Sequence, residues 1–248
     1  MSEQVRNIKL TVAYDGTAYH GFQRQANAMT IQQVLEERLT KIFGHQLKII
    51  GAGRTDAGVH AYGQVVNFYT TGTIPADRIP LAAKGVLPAD IVISSAAEVD
   101  KDFHARSNAR SKVYLYRIYQ SCVPDPFLRN YAWYIVKTLD IPAIQAAMGL
   151  IVGTHDFSSF RGSGGPPVNP VRTILAANCE MQDKTTEFSF WGTGFLYHMV
   201  RNLVGTLIDV GLGKLSAAGF TRILAARDRC QAGITAPAQG LYLKEVFY

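Results

Sequence analysis

Cysteine is scarce in this chain, and long apolar runs are missing altogether. Its three cysteines, Cys122, Cys179 and Cys230, are odd in number and far apart, and none belongs to a C-x-x-C pair. Neither a disulfide scaffold nor a cysteine zinc site is expected, whereas reduced thiols in a cytoplasmic protein are. No stretch approaches the ~20 apolar residues that span a bilayer. Met1–Leu10 carries Glu3, Arg6 and Lys9 where a secretion signal would have its apolar core. No membrane partner is expected. Acidic residues are also in the minority, 19 against 25 basic, for a net charge of +6. That excess favours a polyanionic partner without requiring one. With 48% apolar and 18% charged residues, the chain can bury a substantial core and is neither disordered nor fibrous. Its 248 residues suffice for one large domain or two small ones.

Periodicity gives the organisation. Ile8, Leu10, Val12 and Tyr14 alternate with less apolar residues, the pattern of a half-buried strand. Thr30, with Gln33 three residues on, has the form of a capping box. Behind it Ile31, Val34, Leu35, Leu39, Ile42 and Phe43 share one helical face. Strands are expected at Leu47–Ile50, Gln64–Thr70 and Ile91–Ala97, the last following the breakers Pro75, Pro80 and Pro88. The order then recurs: strand Val113–Tyr119, helix Asp140–Val152, strands Val171–Met181 and Thr186–Gly192. Helices at Leu196–Leu212 and Ser216–Arg227 and a closing strand at Leu241–Tyr248 complete the chain. The expected fold class is α+β, with two strand–helix–strand–strand halves built on antiparallel sheets. The boundary is expected near Arg106–Arg110, which gives halves of 1–106 and 107–248. Between Arg161 and Arg172 the sequence RGSGGPPVNPVR reads either as a plain surface connection or as a mobile loop whose arginines meet phosphates.

The most unusual stretch is Gly51-Ala-Gly-Arg-Thr-Asp-Ala-Gly-Val-His60, where glycines surround Arg54, Thr55 and Asp56. A dinucleotide fingerprint fails because Asp56 stands at its third glycine and the residues beyond look like strand. A phosphate P-loop fails at Gly213-Lys214, which Leu215 follows and for which Ile208 replaces the first glycine. Zinc-dependent base deamination lacks its P-C-x-x-C. Two readings remain from the residues themselves. Asp56 either hydrogen-bonds its own backbone in a turn or stands uncrowded in a cleft, kept ionised by a nearby arginine, as nucleophile or base.

The segment Gly53-Arg-Thr-Asp-Ala-Gly-Val-His-Ala61 with Gly63-Gln64-Val65 closely resembles the signature of the TruA family of tRNA pseudouridine synthases. The resemblance continues through Tyr14-Asp-Gly-Thr-x-Tyr-x-Gly-Phe-Gln-Arg-Gln25, Phe103-His-Ala-Arg106 and Tyr114-x-Tyr116. Asp156-Phe-Ser-Ser-Phe160, Phe195-x-Tyr-His-Met-Val-Arg-Asn202 and Ala236-Pro-x-x-Gly-Leu-Tyr-Leu243 extend it over essentially the whole chain.

The resemblance implies a pseudouridine synthase fold, its two halves joined around a central catalytic cleft. It also implies isomerisation of uridine at positions 38 to 40 of the tRNA anticodon arm by base flipping, in a homodimer that uses no metal and no organic cofactor. It assigns the catalytic carboxylate to Asp56, the uracil-stacking ring to Tyr114 and the arginine that pairs with the aspartate to Arg201. Arg54 would clamp the flipped nucleotide, and Leu241 would line the pocket. Arg24, Arg106, Arg110, Lys112, Arg161 and Arg172 are candidates for RNA phosphates. Val113 departs from the polar or basic residue usual before the tyrosine. An arginine among Met199, Val200, Leu203, Val204 and Leu207 is costly to bury unpaired, so Arg201 needs a partner. His60 and His198 are expected to be structural. A non-catalytic RNA-binding protein with paired RNA-recognition halves is the alternative.

Overall fold

A computed structural model describes residues 5–164 and 168–248; the middle of the Arg161–Arg172 loop, 165–167, lies outside the described residues. In chain order the elements are β1 (Arg6–Tyr14), α1 (Ile31–Phe43), β2 (Ile50–Gly51), β3 (His60–Thr70), α2 (Ile79–Lys84), β4 (Ile91–Val99), β5 (Ser111–Gln120) and β6 (Trp133–Ile135). There follow α3 (Ile141–Gly149), β7 (Gly153–Asp156), β8 (Val171–Gln182), β9 (Thr185–Gly192), α4 (Met199–Gly211), α5 (Ala217–Ala226) and β10 (Leu241–Phe247). They form two compact units, Met1–Arg110 with Tyr242–Tyr248, and Ser111–Leu241. The class is mixed α+β, as the periodicity led us to expect.

In the first unit β1 lies between β3 and β4, antiparallel to both. Its alternate residues Ile8, Leu10, Val12 and Tyr14 are buried. α1 covers the sheet with Leu35, Leu39 and Phe43, the last meeting Phe68 of β3 edge-on at 5.2 Å. Only half of the expected capping box forms. Thr30 accepts from the Gln33 backbone N–H, but the Gln33 amide turns outward to Glu37. Gly44 ends the helix in the left-handed region, φ 75°, where glycine has no steric penalty. The strand expected at Leu47–Ile50 shrinks to β2. Pro80 does not merely break the chain but occupies the first turn of α2, where its missing N–H costs nothing. A buried amide pair fixes the segment leading to Arg106. Asn67 donates to Asn7, Asn7 donates to the carbonyls of Asp100 and Phe103, and Asn67 accepts from Ala105 N–H. β10 closes this sheet in parallel with β3, Tyr242 opposite His60.

In the second unit β5, β9, β8 and β7 follow one another, all antiparallel, and β6 runs parallel to β5. Phe157, Phe160, Phe188, Phe190 and Phe220 are fully buried. Asp140 and Ser216 cap α3 and α5 by accepting backbone N–H bonds from Ala143 and Gly219. The periodicity missed β6 and β7, which at three and four residues are too short to carry a pattern.

Burial, reinforced by Glu180, pushes the Cys179 thiol up to about 12, whereas Cys122 and Cys230 are exposed. Since the thiolate is the reactive form, a chromogenic thiol reagent at pH 8 should titrate two thiols promptly and the third only in denaturant. Prompt reaction of all three would mean that β8 opens in the native state.

Candidate active site

Asp56 lies on the loop 52–59 between β2 and β3 and is half-buried. Its carbonyl accepts from Val59 N–H, closing a turn that places Gly58 at φ 75°. The loop is fastened to the segment 14–22 at several points. The buried Thr55 places its Oγ1 2.7 Å from the Tyr14 hydroxyl, and its carbonyl accepts from Phe22 N–H. Gly58 N–H donates to the Tyr19 carbonyl, and the Gln64 amide donates to the carbonyl of Gly53. Two glycines permit the approach: a Cβ on Gly21 would lie 2.6 Å from the Thr55 carbonyl oxygen, and one on Gly16 2.0 Å from that of Val59. Burial pushes the Tyr14 phenol upward, against hydrogen bonds from Thr55 and Gln64, and it stays a neutral hydroxyl. A carboxylate on such a loop is held at a fixed position, which nucleophilic or general-base chemistry requires.

His60 is buried at the loop's end, as a structural residue would be. Its Nδ1 is 3.1 Å from both Gly16 N–H and the Asp15 carboxylate, and its ring stacks on Tyr242 at 4.7 Å.

Arg54, two residues from Asp56, is exposed and lines a recess of about 190 Å³. Arg106, from a distant part of the sequence, lines the same recess together with Phe22, Gln23, Ile50 and His104. The structure thus brings two of the expected RNA-contacting arginines to one place.

In the second unit Tyr114 is buried on β5, with Phe195 edge-on against it at 4.9 Å. Tyr116 lies two residues on and therefore on the same face of the strand. Its hydroxyl donates to the Pro237 carbonyl, and its ring fills the space left by Gly240, where a Cβ would come within 2.6 Å. Burial raises the Tyr116 pKa, while the nearby Arg201 guanidinium acts in the opposite direction. Arg201, half-buried on α4, donates from Nε to the Ala236 carbonyl at 2.7 Å and accepts at its own carbonyl from Ala236 N–H. Buried Asn202 secures the same segment, accepting from Thr235 and Arg229 while donating to the Phe160 carbonyl. Leu241, buried, follows directly. Arg201, Tyr116 and the approach to Leu241 are therefore one packed group.

A sequence model described as tRNA pseudouridine synthase matches residues 10–107 and 147–248. The chain belongs to this family. Among curated relatives, tRNA pseudouridine synthase A of Acetivibrio thermocellus is 49% identical over 244 residues, covering 98% of this chain and all of that one. The enzymes of the same name from Exiguobacterium sp. and Lacticaseibacillus casei are 49% and 47% identical over 245 residues. Each covers 98% of this chain, and 98% and 99% of the respective relative. Among solved structures, a Cbf5–Nop10–Gar1 complex aligns over 95% of this chain and 48% of that one, at 12% identity and a TM-score of 0.40. A tRNA pseudouridine synthase is an isomerase, so membership does not favour the non-catalytic RNA-binding alternative. The first matched segment contains Asp56, Arg54 and Arg106, and the second Arg201 and Leu241; Tyr114 lies between them. Among the described residues no cluster of His, Cys, Asp or Glu is arranged to hold a metal, and no helix is long and apolar enough to cross a membrane.

The other basic residues of this tRNA pseudouridine synthase are dispersed. Arg24 is committed to α1, 2.9 Å from the Glu36 carboxylate, so any phosphate would compete with that ion pair. Arg110 is exposed where its backbone N–H meets the Phe247 carbonyl, and Lys112 is half-buried on β5. Arg161 and Arg172 flank the loop. Arg172 donates to the carbonyls of Asn169 and Val171, and partial burial lowers its pKa. Sequence reasoning missed Thr55, Gln64 and Tyr116 as supports of the site. The resemblance included Tyr116 in its Tyr114-x-Tyr116 motif, but only the fold reveals its contact with the Pro237 carbonyl. His198, expected to be structural, precedes α4 in the left-handed region at φ 58° and stacks on Tyr197.

Among the described residues of this half, a very close approach is at Gly205, where a Cβ would lie 1.8 Å from the Ile234 carbonyl oxygen. Gly205→Ala should therefore destabilise the protein by about 1–3 kcal/mol through overpacking, seen as a lower urea midpoint. An unchanged midpoint would show that the segment 232–237 can yield and does not fix Arg201.

Proposed function

We propose that this chain isomerises uridine to pseudouridine at positions 38, 39 and 40 of the tRNA anticodon stem-loop, with Asp56 as the catalytic carboxylate. The observation that carries the reading is the presentation of Asp56 on a short loop bound at Thr55, Gly53 and Gly58 to its neighbours. In the reaction the bond from C1′ to N1 breaks, the uracil turns, C1′ bonds to C5, the C5 proton is lost, and N1 takes up a proton, so the product is an isomer of the substrate. Asp56 acts either by adding to C6 of the base or at the ribose as the glycosidic bond breaks; the residues are compatible with both.

A uridine in a stem must first leave it, at a cost of a few kcal/mol. Arg54, exposed on the same loop, is suited to hold the extruded nucleotide. On the family resemblance, Tyr114 stacks on the uracil, Arg201 serves the reacting carboxylate, and Leu241 lines the pocket. The edge-on ring of Phe195 fixes Tyr114 in one orientation, which favours the stacking role. Arg24, Arg106, Arg110, Lys112, Arg161 and Arg172 are proposed to meet RNA phosphates. The resemblance further supports action in the cytoplasm as a homodimer, without metal or organic cofactor.

Tritium release from [5-³H]uridine-labelled anticodon-arm tRNA tests the carboxylate. The native chain should release tritium, and Asp56→Asn should release none while still binding tRNA. Equal release by both would remove Asp56 as the catalyst. Arg54→Ala should slow turnover about tenfold if the side chain offsets ~1.4 kcal/mol of the extrusion cost. Undiminished single-turnover rates would end that assignment.

A further inference from the structure

We infer that the recess beside Arg54 receives a second, unpaired nucleotide of the RNA substrate, separate from the uridine that reacts. The inference rests on the RNA-modifying reading given above and concerns a site formed wholly by the first unit. None of the residues lining the recess is acidic, while two are arginines. Neither Arg54 nor Arg106 has a carboxylate within ion-pair distance among the described residues. Two uncompensated guanidinium groups facing one space select an anion, and their planar forks suit phosphate oxygens.

The remaining chemistry suits a base in place of inorganic phosphate alone. His104 Nδ1 accepts from the backbone N–H groups of Arg106 and Ser107. The neutral ring then carries its proton on Nε2, leaving that N–H as a donor. The Gln23 side-chain amide, hydrogen-bonded to nothing among the described residues, offers a donor and an acceptor together. Phe22 and Ile50 supply apolar contact: the Phe22 ring rests on Gly51, where a Cβ would approach it to 2.4 Å. The recess, about 190 Å³ and open to solvent on one side, has room for a pyrimidine ring. Single-stranded RNA is recognised in this way, with a splayed base against an apolar surface, its edge read by polar side chains and its phosphate held by arginine.

The test uses the full chain with anticodon-arm RNA carrying 4-thiouridine at one position at a time next to the target. Irradiation should crosslink one of these positions to the peptide containing Phe22 and Gln23 or to that containing His104 and Arg106. Gln23→Ala and Arg106→Gln change exposed side chains and should keep the native melting temperature. Arg106→Gln should raise KM about tenfold with a much smaller fall in kcat, and lower the slope of log binding constant against log salt by ~0.7–0.9. Gln23→Ala should weaken the crosslink without changing that slope. Native KM, slope and kcat in both variants, with no crosslink in either peptide, would overturn the inference while leaving the isomerase intact. Absence of tritium release from a native chain that still crosslinks at the recess would instead sink the catalytic reading and uphold the recess.

Discussion

The contact between Thr55 and Tyr14 is the constraint on which the first unit depends. Tyr14 is the last residue of β1, and the sheet fixes its ring; its hydroxyl meets a threonine one residue before Asp56. Hydrogen bonds between buried groups in a medium of low dielectric are strong and directional. The loop therefore inherits the rigidity of a strand although it has no regular structure of its own. The glycines at 16 and 21 let the backbone of one motif lie directly against that of the other. The two stretches that carry the family signature most clearly are in this sense one object, assembled from both sides of α1.

The second unit solves the same problem with a helix. Arg201 does not project from α4 unsupported: its Nε and its backbone carbonyl are both bonded to Ala236, and Asn202 beside it secures the preceding turn. A long flexible side chain loses much conformational freedom when it is ordered. Binding its root to the backbone meets that cost during folding, so the guanidinium is already placed before any RNA arrives.

Much of this was legible in the sequence. The alternation of Ile8 to Tyr14 and the helical face behind Thr30 each identified an element, because each reflects a local rule of backbone geometry. Asp56 was conspicuous for the same reason, since glycines crowded around a carboxylate and an arginine signal a constrained loop. What escaped was whatever depends on distant residues. Gln33 had the chemistry for a reciprocal cap but found Glu37 closer to hand. Arg24 looked like a free cation until Glu36, one turn along α1, was seen beside it. Arg54 and Arg106 share a recess only because Asn7 and Asn67 hold the chain from Asp100 to Ala105 against the sheet.

The position of β10 bears on how the molecule folds. Its pairing with β3, directly beyond the Asp56 loop, joins residues far apart in sequence, and Tyr242 stacks on both His60 and Tyr62. Non-local pairing of this kind must wait for a long loop to close, so that side of the strand that carries His60 stays open while the intervening chain is made and folded. An open edge is a site for mispairing, which makes the interval before β10 docks the vulnerable stage of folding.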